Sequence, residues 1–210
     1  RPTQTEPSGF FIEAIVHLDS LYPDASVRTI ASRWNGEQAT RGWSFGVTGN
    51  KSRFGAGQLV MQLNGDDFQA ALTLEVVASG LKVPLKKPVY VAAVLSPETL
   101  PGRTYGGHIR FVVRELTDPA APGQESQIPH ALGSGFVNPE RVLVIGGRDA
   151  QAGHLWSGGI LRVAMGNHPG LPASLLPART SPAAGTILEW AAPGPTAMRP
   201  DDFKWIKPAQ

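Results

Sequence analysis

Trp156-Ser157-Gly158-Gly159-Ile160-Leu161-Arg162-Val163 follows, eleven residues on, the apolar run Val142-Leu143-Val144-Ile145 and the turn Gly146-Gly147-Arg148-Asp149. This order reads as strand, tight turn, polar loop and strand, with the paired glycines serving turns and close packing between sheets. Working outward, the same period-two pattern recurs. In Phe10-Phe11-Ile12-Glu13-Ala14-Ile15-Val16-His17-Leu18 every even position is apolar, while Glu13 and His17 fall on the odd face, which predicts a half-buried strand. The alternation returns at Trp43, Phe45, Val47; at Leu59, Met61, Leu63; at Leu72, Leu74, Val76; at Val89, Val91, Ala93, Leu95; and at Ile109, Phe111, Val113. Turn clusters such as Asn35-Gly36, Asn64-Gly65-Asp66-Asp67 and Pro101-Gly102 separate the runs. About ten to thirteen short strands without crossover helices predict an all-β sandwich of two antiparallel sheets. The one helix candidate spans 171–176, between Pro172 in its first turn and Pro177. Farther on, Ile187-Leu188-Glu189-Trp190 and Phe203-Lys204-Trp205-Ile206 are too aromatic for a free linker, and the first is expected to pair back onto the sheet near the N-terminal strand.

The 210 residues suit a single domain, with its core over about 8–178 and the Pro/Gly-rich C-terminal part packing back on it. A hydrophobic share of 41% against 17% charged residues is enough for a core and too little charge for a disordered chain. The net charge of +2 is spread singly along the chain, so no nucleic-acid stripe is visible. No apolar run is long enough for a membrane span. With no cysteine, neither disulfides nor thiol chemistry is available.

The segments Phe10-Phe11-Ile12-Glu13-Ala14-Ile15-Val16, Thr29-Ile30-Ala31-Ser32-Arg33-Trp34, Gly42-Trp43-Ser44-Phe45-Gly46-Val47, Ile145-Gly146-Gly147-Arg148 and Trp156-Ser157-Gly158-Gly159-Ile160 together resemble the successive strands of the concanavalin A-like lectin/glucanase superfamily. Within it the chain is most similar to LamG-type domains, as appended to large secreted planctomycete proteins that carry cytochrome-c-like domains. The resemblance implies a jelly-roll sandwich, a secreted or periplasmic location, neighbouring domains in a parent protein, and glycan or protein binding. It also implies that some members hold a structural calcium. Here the Gly-x-Ile strand continues Leu161-Arg162-Val163 where many members have Asp-Glu-Val-Arg, so an acidic residue that a calcium ion would want is missing.

Catalytic patterns are not met. Glycosidases of this superfamily align two carboxylates along one strand, about 5 Å apart for retention. Glu13, Glu75 and Glu115 each stand alone in their strands. The histidines lack the short spacings of a zinc site, and no serine lies in a Gly-x-Ser-x-Gly elbow. The expectation is therefore a non-catalytic, lectin-like carbohydrate-binding module. The alternative is a structural or protein-interaction domain without a glycan ligand, using an apolar patch such as Phe203, Trp205 and Ile206.

A sugar site needs an aromatic ring for stacking beside polar groups for the hydroxyls. Two loops offer the mix: Arg33-Trp34-Asn35-Gly36-Glu37-Gln38 with Arg41 and Trp43, and Arg148-Asp149-Ala150-Gln151 with His154 and Trp156. Trp43 shares a face with Phe45 and Val47 and reads as core, as does Trp156 at a sheet edge. Trp34 ends a strand and enters a polar loop, open to either role; it is taken as the stacking platform, with Arg33, Asn35, Glu37, Arg148 and Asp149 as polar partners. The two arginines can equally form ion pairs with Glu37 or Asp149. Lys51, Arg53, Lys86 and Lys87 read as solvated, yet if clustered they would suit an anionic polysaccharide.

Overall fold

The computed structural model describes residues 9–23, 25–98, 101–102, 106–118, 120, 122–136, 141–148 and 154–166, and the backbone of two further strands near the C-terminus. The strands are β1 (Phe10–Leu18), β2 (Val27–Ser32), β3 (Gly42–Thr48), β4 (Gln58–Asp66), β5 (Leu72–Lys82), β6 (Pro88–Ser96), β7 (Gly107–Glu115), β8 (Gln124–His130), β9 (Val144–Ile145), β10 (Gly158–Gly166), β11 (Thr186–Ala191) and β12 (Phe203–Trp205). They form two antiparallel sheets. The seven-stranded sheet has the order β12-β11-β10-β1-β6-β7-β8, and the five-stranded one β5-β4-β3-β2-β9. This is the sandwich that the alternation predicts. The helix candidate at 171–176 lies outside the described residues.

The alternating apolar residues meet between the sheets. Ile12, Val16, Val91 and Phe111 from one sheet face Trp43, Phe45, Leu59 and Met61 from the other, all fully buried. Phe10 and Trp43 pack with ring centroids 5.3 Å apart. At about 1.5–3 kcal/mol for each large side chain, this layer is the main source of stability. At one side the sheets are latched: Ser126 Oγ donates to Ser79 O at 2.8 Å, and the Ala131 amide donates to Glu75 Oε2 at 2.7 Å. That contact gives Glu75 a structural role between the sheets.

The opening segment behaves as its pattern suggests. β10 starts at Gly158 and pairs with β1, Gly158 lying opposite Leu18. Gly158 has φ +131°, and a Cβ there would stand 2.1 Å from His17 O, so only glycine fits. The Trp156 indole N–H points at His17 O and Gly159 O, 3.2 Å from each, tying the ring to the sheet edge. β11, which contains Ile187 to Trp190, pairs with β10 rather than directly with β1, and β12 pairs with β11.

Two expectations need correction. β1 is not half-buried: Phe11 is 0% and Glu13 3% exposed on the odd face. There Tyr90, opposite Ile15 on β6, donates its hydroxyl to Glu13 Oε2 at 3.0 Å, so the carboxylate is satisfied away from water. In β5, the inward residue is Val77, not Leu74 or Val76. The β4–β5 turn fixes this, because Asp67 Oδ1 accepts the Gln69 and Ala71 amides and sets Asp66 opposite Leu72. Val77 thus pairs with core Met61, and Val76 with Gln62 on the outer face.

Candidate functional site

The outer face of the five-stranded sheet carries the polar halves of the alternating strands. Register lines up Ser32 of β2, Ser44 of β3, Gln62 of β4 and Val76 of β5 in one row across the strands. Ser32 and Ser44 are fully buried, and Gln62 is 7% exposed. Ser44 Oγ donates to Gln62 Oε1 at 3.0 Å, and the Arg148 guanidinium donates to the same oxygen. Ser32 Oγ donates to Gly147 O at 3.0 Å and holds the segment that delivers Arg148. Since arginine has no acceptor, the atom it meets must be the amide oxygen. The Gln62 NH2 group is therefore turned the other way, and the described residues offer it no acceptor.

Gln62 and Val76 form the floor of a cleft of about 260 Å³, whose other described walls are Ser26, Val27 and the β3–β4 loop from Lys51 to Phe54. That loop is tied down at both ends. The Gly57 amide donates to Thr48 O (2.8 Å), Thr48 Oγ1 donates to Gly55 O (2.7 Å), and the Gln58 amide donates to Thr48 Oγ1 (2.8 Å). The Gln58 side chain donates to Phe54 O. Phe54 is half-buried, and the exposed Arg53 guanidinium lies 4.8 Å from its ring centre. The cleft thus joins an aromatic ring, two cations, two hydroxyls and a fixed amide donor.

Of the proposed site residues, the described ones do not line this cleft and have other roles. Trp34 is 1% exposed, its indole N–H points at Glu37 O (3.0 Å) and Thr40 O (2.9 Å), and Arg148 lies 5.0 Å from its ring centre. Its reading as a stacking platform is corrected: its ring is buried where a sugar has no access, and it organises its own loop. Asn35 and Glu37 shape the same loop. The Glu37 amide donates to Asn35 Oδ1 at 3.2 Å, Asn35 Nδ2 donates to Glu37 Oε2 at 2.8 Å, and Asn64 Nδ2 reaches in to Gln38 O at 2.8 Å. The Glu37 carboxylate meets Asn35, not an arginine. The Arg33 amide donates to Trp43 O at 2.9 Å, while burial lowers its guanidinium pKa. Burial likewise lowers the Arg148 pKa to about 10, leaving it charged at neutral pH. The structure does bring Trp34 and Arg148 together from the two loops; Asp149 lies outside the described residues. Lys51 and Arg53 share the cleft, whereas Lys87 pairs with Glu115 at 2.8 Å.

Sequence reasoning passed over Gln62, Ser44 and Phe54. Their signal was the polar member of each alternating strand, plus an aromatic in the β3–β4 loop, but which polar residues align depends on register. For calcium, the described residues contain no group of three or more His, Cys, Asp or Glu side chains that could hold a metal ion.

No protein-family model matches the chain, and no curated protein matches it. Among solved structures 17 chains match. One is the enzymatically active domain of tailspike protein 2 of bacteriophage CBA120, with a TM-score of 0.52 and 14% identity over 76% of this chain. The aligned part spans 22% of that chain, and the likeness is one of fold.

Proposed function

We propose that this chain is a carbohydrate-binding, lectin-like module of LamG type within a larger exported protein, and that it binds glycans in the cleft without catalysis. The observation that carries the reading is the cleft itself, whose lining supplies an aromatic residue in Phe54, apolar surface in Val27 and Val76, and hydrogen-bonding groups in Gln62, Ser26 and Ser52. An apolar ring face with a few fixed polar groups is what a sugar's two kinds of surface demand. The described lining contains no carboxylate, so the two-carboxylate chemistry of a glycosidase has no place in it. The fold shared with a tailspike domain is compatible with this reading.

A microarray of neutral and acidic oligosaccharides tests it. Binding is expected, and Phe54→Ala should weaken it about tenfold or more with an unchanged circular dichroism spectrum. Silence across the array would sink the reading. A second reading, docking of a neighbouring domain, draws on Phe68 and Leu72 at the β4–β5 turn, 60% and 39% exposed. The patch earlier suggested at Phe203, Trp205 and Ile206 has no described side chains. A Phe68→Ser, Leu72→Ser variant that binds glycans normally would separate the two surfaces.

A further inference from the structure

The polarity of the cleft goes further than its shape. We infer that it selects acidic sugars, seating a carboxylate or sulfate against the Gln62 NH2 group between Lys51 and Arg53; this rests on the carbohydrate reading above. Among the described polar side chains of the cleft, Gln62, Lys51 and Arg53 present donors only, and the Ser26 and Ser52 hydroxyls can donate as well as accept. Gln62 is 7% exposed, with its oxygen taken by Ser44 and Arg148, so it presents only its N–H groups. Lys51 and Arg53 are exposed, line the same space, and have no carboxylate partner among the described residues. No acidic side chain stands among the described lining residues to oppose an anion. Neutral sugar hydroxyls both donate and accept, and a floor held in one polarity gives them half of what they need. An anionic group accepts only, and its bonds to charged donors are roughly twice as strong as neutral ones.

Arg148 and Ser44 act here as positioning residues. They do not reach the ligand, and they set which end of the amide faces it. Without them Gln62 could turn over and offer its oxygen, reversing the selection. The anchoring lies below the surface, where salt screens it much less, whereas Lys51 and Arg53 add a salt-sensitive attraction.

Affinity electrophoresis of the whole chain through gels containing dextran, dextran sulfate or polygalacturonate tests this, alongside the same oligosaccharide array. Dextran and its sulfate share a backbone and differ in charge, and polygalacturonate separates carboxylate from sulfate. The expected result is retention by one or both acidic polymers, at least about tenfold tighter than dextran at 150 mM salt. Gln62→Glu keeps an oxygen for Ser44 and Arg148 while turning the donor into an acceptor, and should remove about tenfold or more of that preference. The Lys51→Ala, Arg53→Ala double variant, confined to exposed positions, should weaken acidic binding and flatten its salt dependence even where the buried substitution impairs folding. Glycan binding with no preference for acidic over neutral sugars overturns the inference and leaves the carbohydrate reading standing. Absence of binding to any sugar overturns both. An acidic preference that survives both variants places the anion elsewhere and overturns it as well.

Discussion

Replacing Arg148 by methionine gives the sharpest physical test of how the site is built. Arg148 is 7% exposed, and burial lowers its pKa from the ordinary arginine value to about 10. At about 1.4 kcal/mol per pH unit, that difference corresponds to a burial cost on the order of 3 kcal/mol for the charged form. Its Nε has no acceptor among the described residues, which adds to the cost. Against it stand the contact with the Trp34 ring, worth about 2 kcal/mol when desolvated, and the hydrogen bond to Gln62, about 1.5–3 kcal/mol. These nearly cancel. A methionine fills much the same volume without the charge, so Arg148→Met should leave stability within about 1 kcal/mol of the parent near neutral pH. Urea unfolding of both proteins at pH 7 measures the difference. A loss of more than about 3 kcal/mol would show that the contacts with Trp34 and Gln62 far outweigh the cost of burying the charge, and would refute the near balance. Acidic-glycan selectivity should fall in the variant even though stability does not.

Trp34→Phe removes the indole N–H that serves Glu37 O and Thr40 O. It should cost about 1–2 kcal/mol in urea unfolding with glycan affinity nearly unchanged, whereas a loss of affinity at full stability would restore Trp34 as a ligand contact. Gly46→Ala places a Cβ 2.1 Å from Arg28 O, so strands β2 and β3 must part; a loss of about 1–3 kcal/mol or more is expected, read from the thermal midpoint. The Asp67 carboxylate is held below its usual pKa of 3.8, first by the Ala71 amide and then by that of Gln69. Its contribution is present above that value and lost as pH falls through the folded pKa, so the stability difference between the parent and Asp67→Asn should shrink in acid, measurable by denaturation from pH 5 down to pH 2.

The sandwich was legible because alternation is a local signal: Trp43, Phe45 and Val47, like Leu59, Met61 and Leu63, declare a core face whichever strands they meet. The failures share one cause. Leu72, Leu74 and Val76 alternate as well as any other run, but the Asp67 turn sets a register that sends them outward and Val77 inward. Local pattern gives two faces and leaves the choice between them to the turn. Trp34 was misread for the converse reason. Its polar loop looks like a binding loop in sequence, yet in space those polar atoms turn back onto Trp34 itself and onto Asn64.

The buried polar row also explains why the site has its form. Apolar residues at Ser32, Ser44 and Gln62 would pack the outer face with no hydrogen bonds to satisfy, and buried polar groups are costly unless every member is partnered. Here the three form a chain of dependence. Ser32 fixes Gly147, the neighbouring Arg148 reaches Gln62, and Ser44 meets the same oxygen from the adjacent strand. Stability alone does not call for that convergence, since one donor satisfies the oxygen as a core residue. What two donors from different strands add is orientation: they leave a single side-chain amide, nearly buried, with its hydrogens directed to the one side where the cleft opens. Under the carbohydrate reading proposed above, a polar row that serves one atom's direction is what a recognition surface would need.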